Sequence, residues 1–118
     1  MVQYTTSALD VSFAALADAT RRGIIEHLGQ SEASITTLAA KFQMTLTGMK
    51  KHIQVLERAG LVMTRKVGRV RTCMLGTRGL KAEAEWIEGQ RKFFEARFSA
   101  LDKIIDEMEK EQSDESAS

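Results

Sequence analysis

Thr47, Lys51, Gln54 and Arg58 recur every three or four residues, with Lys50 on their shoulder. On a helix they share one face, opposite a second face of Leu46, Met49, Ile53 and Leu56. These side chains suit nucleic acid. Lysine and arginine bind phosphate or guanine, glutamine binds adenine, and threonine meets a methyl group or a phosphate. Thr45 is of the type that caps a helix, so the backbone N–H groups behind it can face an anion. Gly48 allows close backbone approach. Arg65, Lys66, Arg69 and Arg71 follow on a short ribbon with no acid among them. Four such cations repel one another, and a phosphate backbone or a minor groove accounts for them.

The charge balance repeats the pattern on a larger scale. Between Lys41 and Lys81 stand ten Lys or Arg against one acid, Glu57, a net +9. The remainder holds 7 basic and 15 acidic residues, a net −8, which leaves the chain at +1. A basic middle on an acidic chain is the footprint of a polyanion partner, whereas a merely solvated surface mixes both signs.

Other chemistries lack their residues. No Ser–His–acid or Cys–His set and no phosphate-cradling glycine loop is placed for catalysis, so no enzyme activity and no cofactor are expected. One cysteine, Cys73, and two histidines, His27 and His52, make no set for a soft or borderline metal, so no metal site is expected. Cys73 reads as a small hydrophobe. Its alternative is a redox thiol activated by nearby arginines, without a resolving partner. His52 reads as a hydrogen-bonded residue at the core edge, with phosphate contact as the alternative, and His27 as a surface residue. The glutamates of the last segment read as a solvated face whose ion pairs contribute little.

The elements that must position these groups are mostly helices. Leu9, Phe13 and Leu16 step by four and three along a short first helix. Asp18 caps a second, with Ile24, Ile25 and Leu28 inward, and Ser34 caps a third carrying Ile35, Leu38, Ala39 and Phe42. Thr45 opens the fourth, and Gly60 ends it as a C-cap glycine. The period then shortens. Residues 61–66 and 70–75, around Val67-Gly68, predict a β-hairpin with a basic rim. Helix, turn at Gln43-Met44, helix and basic hairpin make a winged helix-turn-helix, in the order α-α-α-α-β-β-α.

The last helix carries apolar residues at eight of nine positions spaced alternately four and three, from Leu80 to Met108, with Arg91 the exception. A second stripe, Trp86, Phe93, Ala100 and Ile104, lies beside it. Docking on the helix's own domain needs one stripe only. The second predicts a twofold homodimer, unless the first helix covers it within the chain. The expected interface holds Leu9, Phe13, Trp86, Phe93, Phe94, Phe98, Leu101, Ile104 and Ile105. Trp86 and Phe93 read as packing rather than as a ligand cage.

At 118 residues the chain has room for one domain, expected over 1–110, with 111–118 as a disordered acidic tail. The longest apolar run, Phe13 to Ala17, is five residues, so no membrane span is expected. Residues 1–8 do not read as a secretion signal, and a lone cysteine suits a reducing cytoplasm.

The sequence from Leu16 to Arg22 (LADATRR), Leu38-Ala39, His52 through Leu56, Ala59-Gly60-Leu61-Val62, and Val67 through Arg71 resembles the ArsR/SmtB-type winged-helix regulators. The resemblance spans roughly residues 9–105 and is most specific from His52 to Arg71. It implies a dimeric bacterial repressor on an inverted repeat of double-stranded DNA, with the fourth helix in the major groove and the hairpin on flanking backbone. It also implies dimerisation through the first and last helices. Thr47 and Lys50 stand where the family often has proline and serine, Ala19 where proline is common, and Cys73 where an aromatic is frequent. The family's metal sensors carry paired cysteines on the third helix, where this chain has Thr36 and Thr37. A second family metal site uses histidine on the last helix, which here offers Glu83, Glu85, Glu88 and Glu95 but no histidine. The chain therefore resembles a member without the metal-sensing motifs. A winged-helix protein–protein module that does not grip DNA is the alternative, and an effector is undetermined.

Overall fold

The computed structural model describes residues 7–117; residues 1–6, most of the stretch expected not to be a secretion signal, and Ser118 lie outside the described residues. The elements run α1 (Ala8–Leu16), α2 (Ala19–Leu28), β1 (Ala33–Ser34), α3 (Ile35–Lys41), α4 (Leu46–Arg58), β2 (Val62–Val67), β3 (Val70–Leu75) and α5 (Lys81–Ala117). The chain divides into two units, 1–83 and 84–118.

Each of the first four helices starts on a side-chain oxygen. Ser7 Oγ accepts from Asp10 N at 3.1 Å, and Asp10 Oδ2 accepts in return from Ser7 N, a reciprocal cap of the Ser-x-x-Asp pattern. Asp18, Ser34 and Thr45 accept from Arg21, Thr37 and Gly48 backbone N–H groups, each at 3.0 Å, as their types predict. Arg21 and Arg22 in turn donate to the last carbonyls of α1: Ala15 at 2.7 Å, Ala14 at 3.0 Å and Leu16 at 2.8 Å. The LADATRR stretch is thus a corner that closes one helix while opening the next.

The turns on either side of α4 use left-handed backbone. Gly60, at φ +74°, follows α4, and Gln43, at φ +54°, makes the α3–α4 turn. The core lies between α2, α3, α4 and the root of the sheet, with Ile24, Leu38, Met49 and Leu56 fully buried.

The sheet has three strands in the order β1-β3-β2, all antiparallel, against two expected. Ala33 faces Cys73 and Ser34 faces Thr72 across β1–β3. Two residues carry no readable period, and only their pairing defines them as strand. On α1 the buried residues are Ser12 and Ala15, while Leu9 and Phe13 are half-buried. Taken by itself, the unit from Ala84 onward is helical to Ala117, taking in 111–117, which was expected as a disordered tail. Neither glycine nor proline interrupts that stretch. Among the described residues no helix is long and apolar enough to cross a membrane.

Candidate nucleic-acid interface

Helix α4 buries Met49, Ile53 and Leu56 at 1% exposure or less and turns Thr45, Thr47, Lys50, Lys51, Gln54 and Arg58 to solvent. The expected inner face fails at one place, since Leu46 is 44% exposed. Side chains on a helix lean toward its N-terminus, so a first-turn residue reaches past the core. Thr45 Oγ1 is engaged as the cap on Gly48 N. A Cβ at Gly48 would stand 3.1 Å from that oxygen and 3.2 Å from Met44 Cε, so the glycine makes room for the cap itself.

The hairpin turns at Gly68-Arg69, with Gly68 at φ +63°. Its register sets Lys66 directly opposite Arg71 and Arg65 opposite Thr72. Like charges facing each other across a ladder destabilise it unless an anion intervenes. Arg71 Nη1 donates to Thr64 Oγ1 at 3.3 Å, and Thr64 donates to Glu57 Oε2 at 3.3 Å. The one acid of the basic segment thereby steadies the base of the wing.

Between α4, the wing and the start of α3 runs a groove of about 420 Å³ lined by Lys50, Lys66, Arg69 and Arg71, with Leu46, Val70, Ser34, Ile35 and Thr36. A hollow of about 230 Å³ adds Gln54, Ile53 and Glu57 beside Lys50 and Arg71. Of the ten residues expected on this face, Lys50, Gln54, Lys66, Arg69 and Arg71 come together there. Thr45, Thr47, Lys51 and Arg65 are exposed without lining either hollow. Arg58 lies instead at a cleft with Leu9, Arg78 and Glu83. Leu46, Val70, Ser34, Ile35, Thr36, Ile53 and Glu57 are lining residues that the sequence does not assign to this face. An apolar side chain on a helix is read as core by its spacing, and the start of α3 meets α4 only in three dimensions.

The remaining polar groups are structural. Arg78 donates to both carboxylate oxygens of Glu83 (3.0 and 3.1 Å), to Ser12 Oγ (2.8 Å) and to the Ala59 carbonyl (2.9 Å). Glu83 is only 3% exposed, which corrects its expected place on a solvated face. The hydrogen bonds from Arg78 hold its carboxyl down at about 2. His52 Nδ1 lies 3.2 Å from the Arg21 guanidinium and 3.9 Å from Asp18, at the core edge as expected. His27 Nδ1 is 2.6 Å from Lys41 Nζ. Burial pushes the fully buried Cys73 thiol up to about 11, the opposite of an activated redox cysteine. Among the described residues no three His, Cys, Asp or Glu side chains gather as a metal would require.

In the unit beyond Ala84, Trp86, Phe93, Phe94, Phe98, Leu101, Ile104 and Ile105 are 44–62% exposed. Arg91 pairs with Glu88 at 2.6 Å and with Glu95, while Arg97 sits 5.3 Å from the centre of the Phe93 ring.

Comparison with known proteins agrees with this geometry. Residues 16–65 match a family model described as a helix-turn-helix domain. The HTH-type transcriptional regulator Rv2034 of Mycobacterium tuberculosis is 36% identical over 73 residues, which cover 62% of this chain and 68% of that one. The structure of an ArsR-like transcriptional regulator from Rhodococcus sp. RHA1 matches at TM-score 0.73 and 30% identity, over 90% of this chain and 97% of that one. The ArsR family transcriptional regulator RHA00566 matches at TM-score 0.70 and 39% identity, over 80% and 97%. With α3 and α4 as the helix-turn-helix and β2–β3 as the wing, this chain belongs to the ArsR family of DNA-binding transcriptional regulators.

Proposed function

We propose that two copies of the chain pair through α1 and α5 and act as a repressor on a pseudo-palindromic operator in double-stranded DNA. The two α4 helices enter successive major grooves about one helical turn apart, roughly 34 Å. Thr47, Lys50, Lys51 and Gln54 approach base edges, and the N-terminus of α4 behind Thr45 meets a phosphate. Arg58, Arg65, Lys66, Arg69 and Arg71 neutralise backbone or enter the minor groove. Occupancy blocks polymerase sterically, in the cytoplasm, by binding rather than catalysis and without a metal-sensing site.

The observation that carries this reading is the convergence of Lys50, Lys66, Arg69 and Arg71 on one groove between α4 and the wing. The opposed pair Lys66 and Arg71 favours an anionic partner. Recovery and sequencing of genomic fragments retained by the purified protein tests it. Enrichment of an inverted repeat upstream of a gene is the expected result; retention of no fragment above background contradicts it.

A further inference from the structure

We propose that Leu46 is a specificity-determining residue that reads the 5-methyl group of thymine in the major groove. The inference rests on the DNA reading above. By spacing Leu46 belongs with Met49, Ile53 and Leu56, yet those three are 0–1% exposed and Leu46 is 44% exposed. It stands outside the core cluster and the hydrophobic residues packed on it. A single exposed leucine is ordinary on a protein surface; this one has an unusual setting. It is the first residue of α4, the part of a recognition helix that reaches base edges. In the groove it is accompanied by Val70, itself 52% exposed, so two exposed apolar groups, besides the buried Ile35, interrupt a lining of Lys50, Lys66, Arg69 and Arg71.

Lys66, Arg69 and Arg71, set on the backbone, attract any duplex and do not choose among sequences. Leu46 can choose. The major-groove edge offers one methyl group, that of thymine; beyond the small C5–H of cytosine, the groups there are hydrogen-bond donors and acceptors. Against thymine, Leu46 and the methyl leave water together. Against the polar edge of guanine, adenine or cytosine, the leucine covers a group it cannot satisfy, and the wrong base is penalised. Polar Thr47 and Gln54, one and eight residues further along, read hydrogen-bonding edges instead.

The test uses the full-length protein and duplexes enriched from a random pool. Each thymine of the best half-site is replaced in turn by deoxyuridine, which removes the methyl group alone. At one position the wild type loses about fourfold in affinity, the value of burying one methyl-sized group. Leu46→Ala binds thymine and uracil duplexes equally at that position, while Leu46→Met, which keeps an apolar tip, retains the preference. Enriched duplexes that lose nothing at any thymine overturn the proposal, as does a Leu46→Ala protein with the full uracil penalty. Failure of the wild type to enrich any duplex removes the DNA reading itself and this proposal with it.

Discussion

Lys66 and Arg71 face each other across the wing, and Arg71 is tied back through Thr64 to Glu57. Such an arrangement costs the free protein something and favours the DNA-bound one. Lys66→Ala is therefore expected to raise the thermal stability of the free chain by a few tenths of a kcal/mol. The same substitution should lower duplex affinity and reduce the slope of log affinity against log salt by about 0.9 for the phosphate lost. Melting curves and binding isotherms across a salt series check both halves. Lys51, exposed on α4 but outside the groove, is proposed to approach bases rather than backbone. Lys51→Ala should weaken binding to the operator more than to random duplex, which a competition assay with unrelated DNA measures. Cys73 is fully buried, and burial pushes its pKa up to about 11.

At the scale of elements, Arg78 joins three helices: Ser12 on α1, the carbonyl of Ala59 that caps α4, and Glu83 at the start of α5. Glu83 is held at about 2, below its ordinary value of 4.5. A lowered folded pKa means that this stabilisation is complete above about pH 4.5 and is lost as pH falls through 2. Glu83→Gln should thus melt below the wild type at neutral pH, by about 2 kcal/mol, with the gap closing between pH 4.5 and 2. Thermal melts at stepped pH follow it. At Gly76 an added Cβ would stand 2.1 Å from the Gly60 carbonyl oxygen, backbone against backbone. Gly76→Ala is expected to cost about 3 kcal/mol, read from the denaturant midpoint. The sequence made the caps at Asp18, Ser34 and Thr45, the hairpin and the inner face of α4 legible, because each is written in local spacing or residue type. Strand β1 was not legible, being defined by residues some forty positions away in β3. Nor were buried Ser12 and Glu83, since Arg78 reaches Ser12 across 66 residues of sequence. Leu46 was misplaced for a related reason: periodicity tells which face a residue takes and not whether the core extends that far.

For the whole molecule, α5 contributes 37 residues, about 55 Å of helix. Phe94, Phe98, Leu101 and Ile105 along it are each more than 40% exposed. An apolar stripe of that length is what a second copy of the chain would bury. Phe98→Glu is expected to shift sedimentation from dimer to monomer and to abolish operator binding at concentrations where the wild type is saturated, while the helical circular dichroism signal stays. A hydroxyl-radical footprint of the full-length protein on its most strongly retained genomic fragment tests the central claim most directly. The account predicts two protected segments about one helical turn apart, related by twofold symmetry, each with flanking protection that disappears in Arg69→Ala. A single unsymmetrical protected segment, or protection unchanged by the loss of the wing arginine, would contradict it.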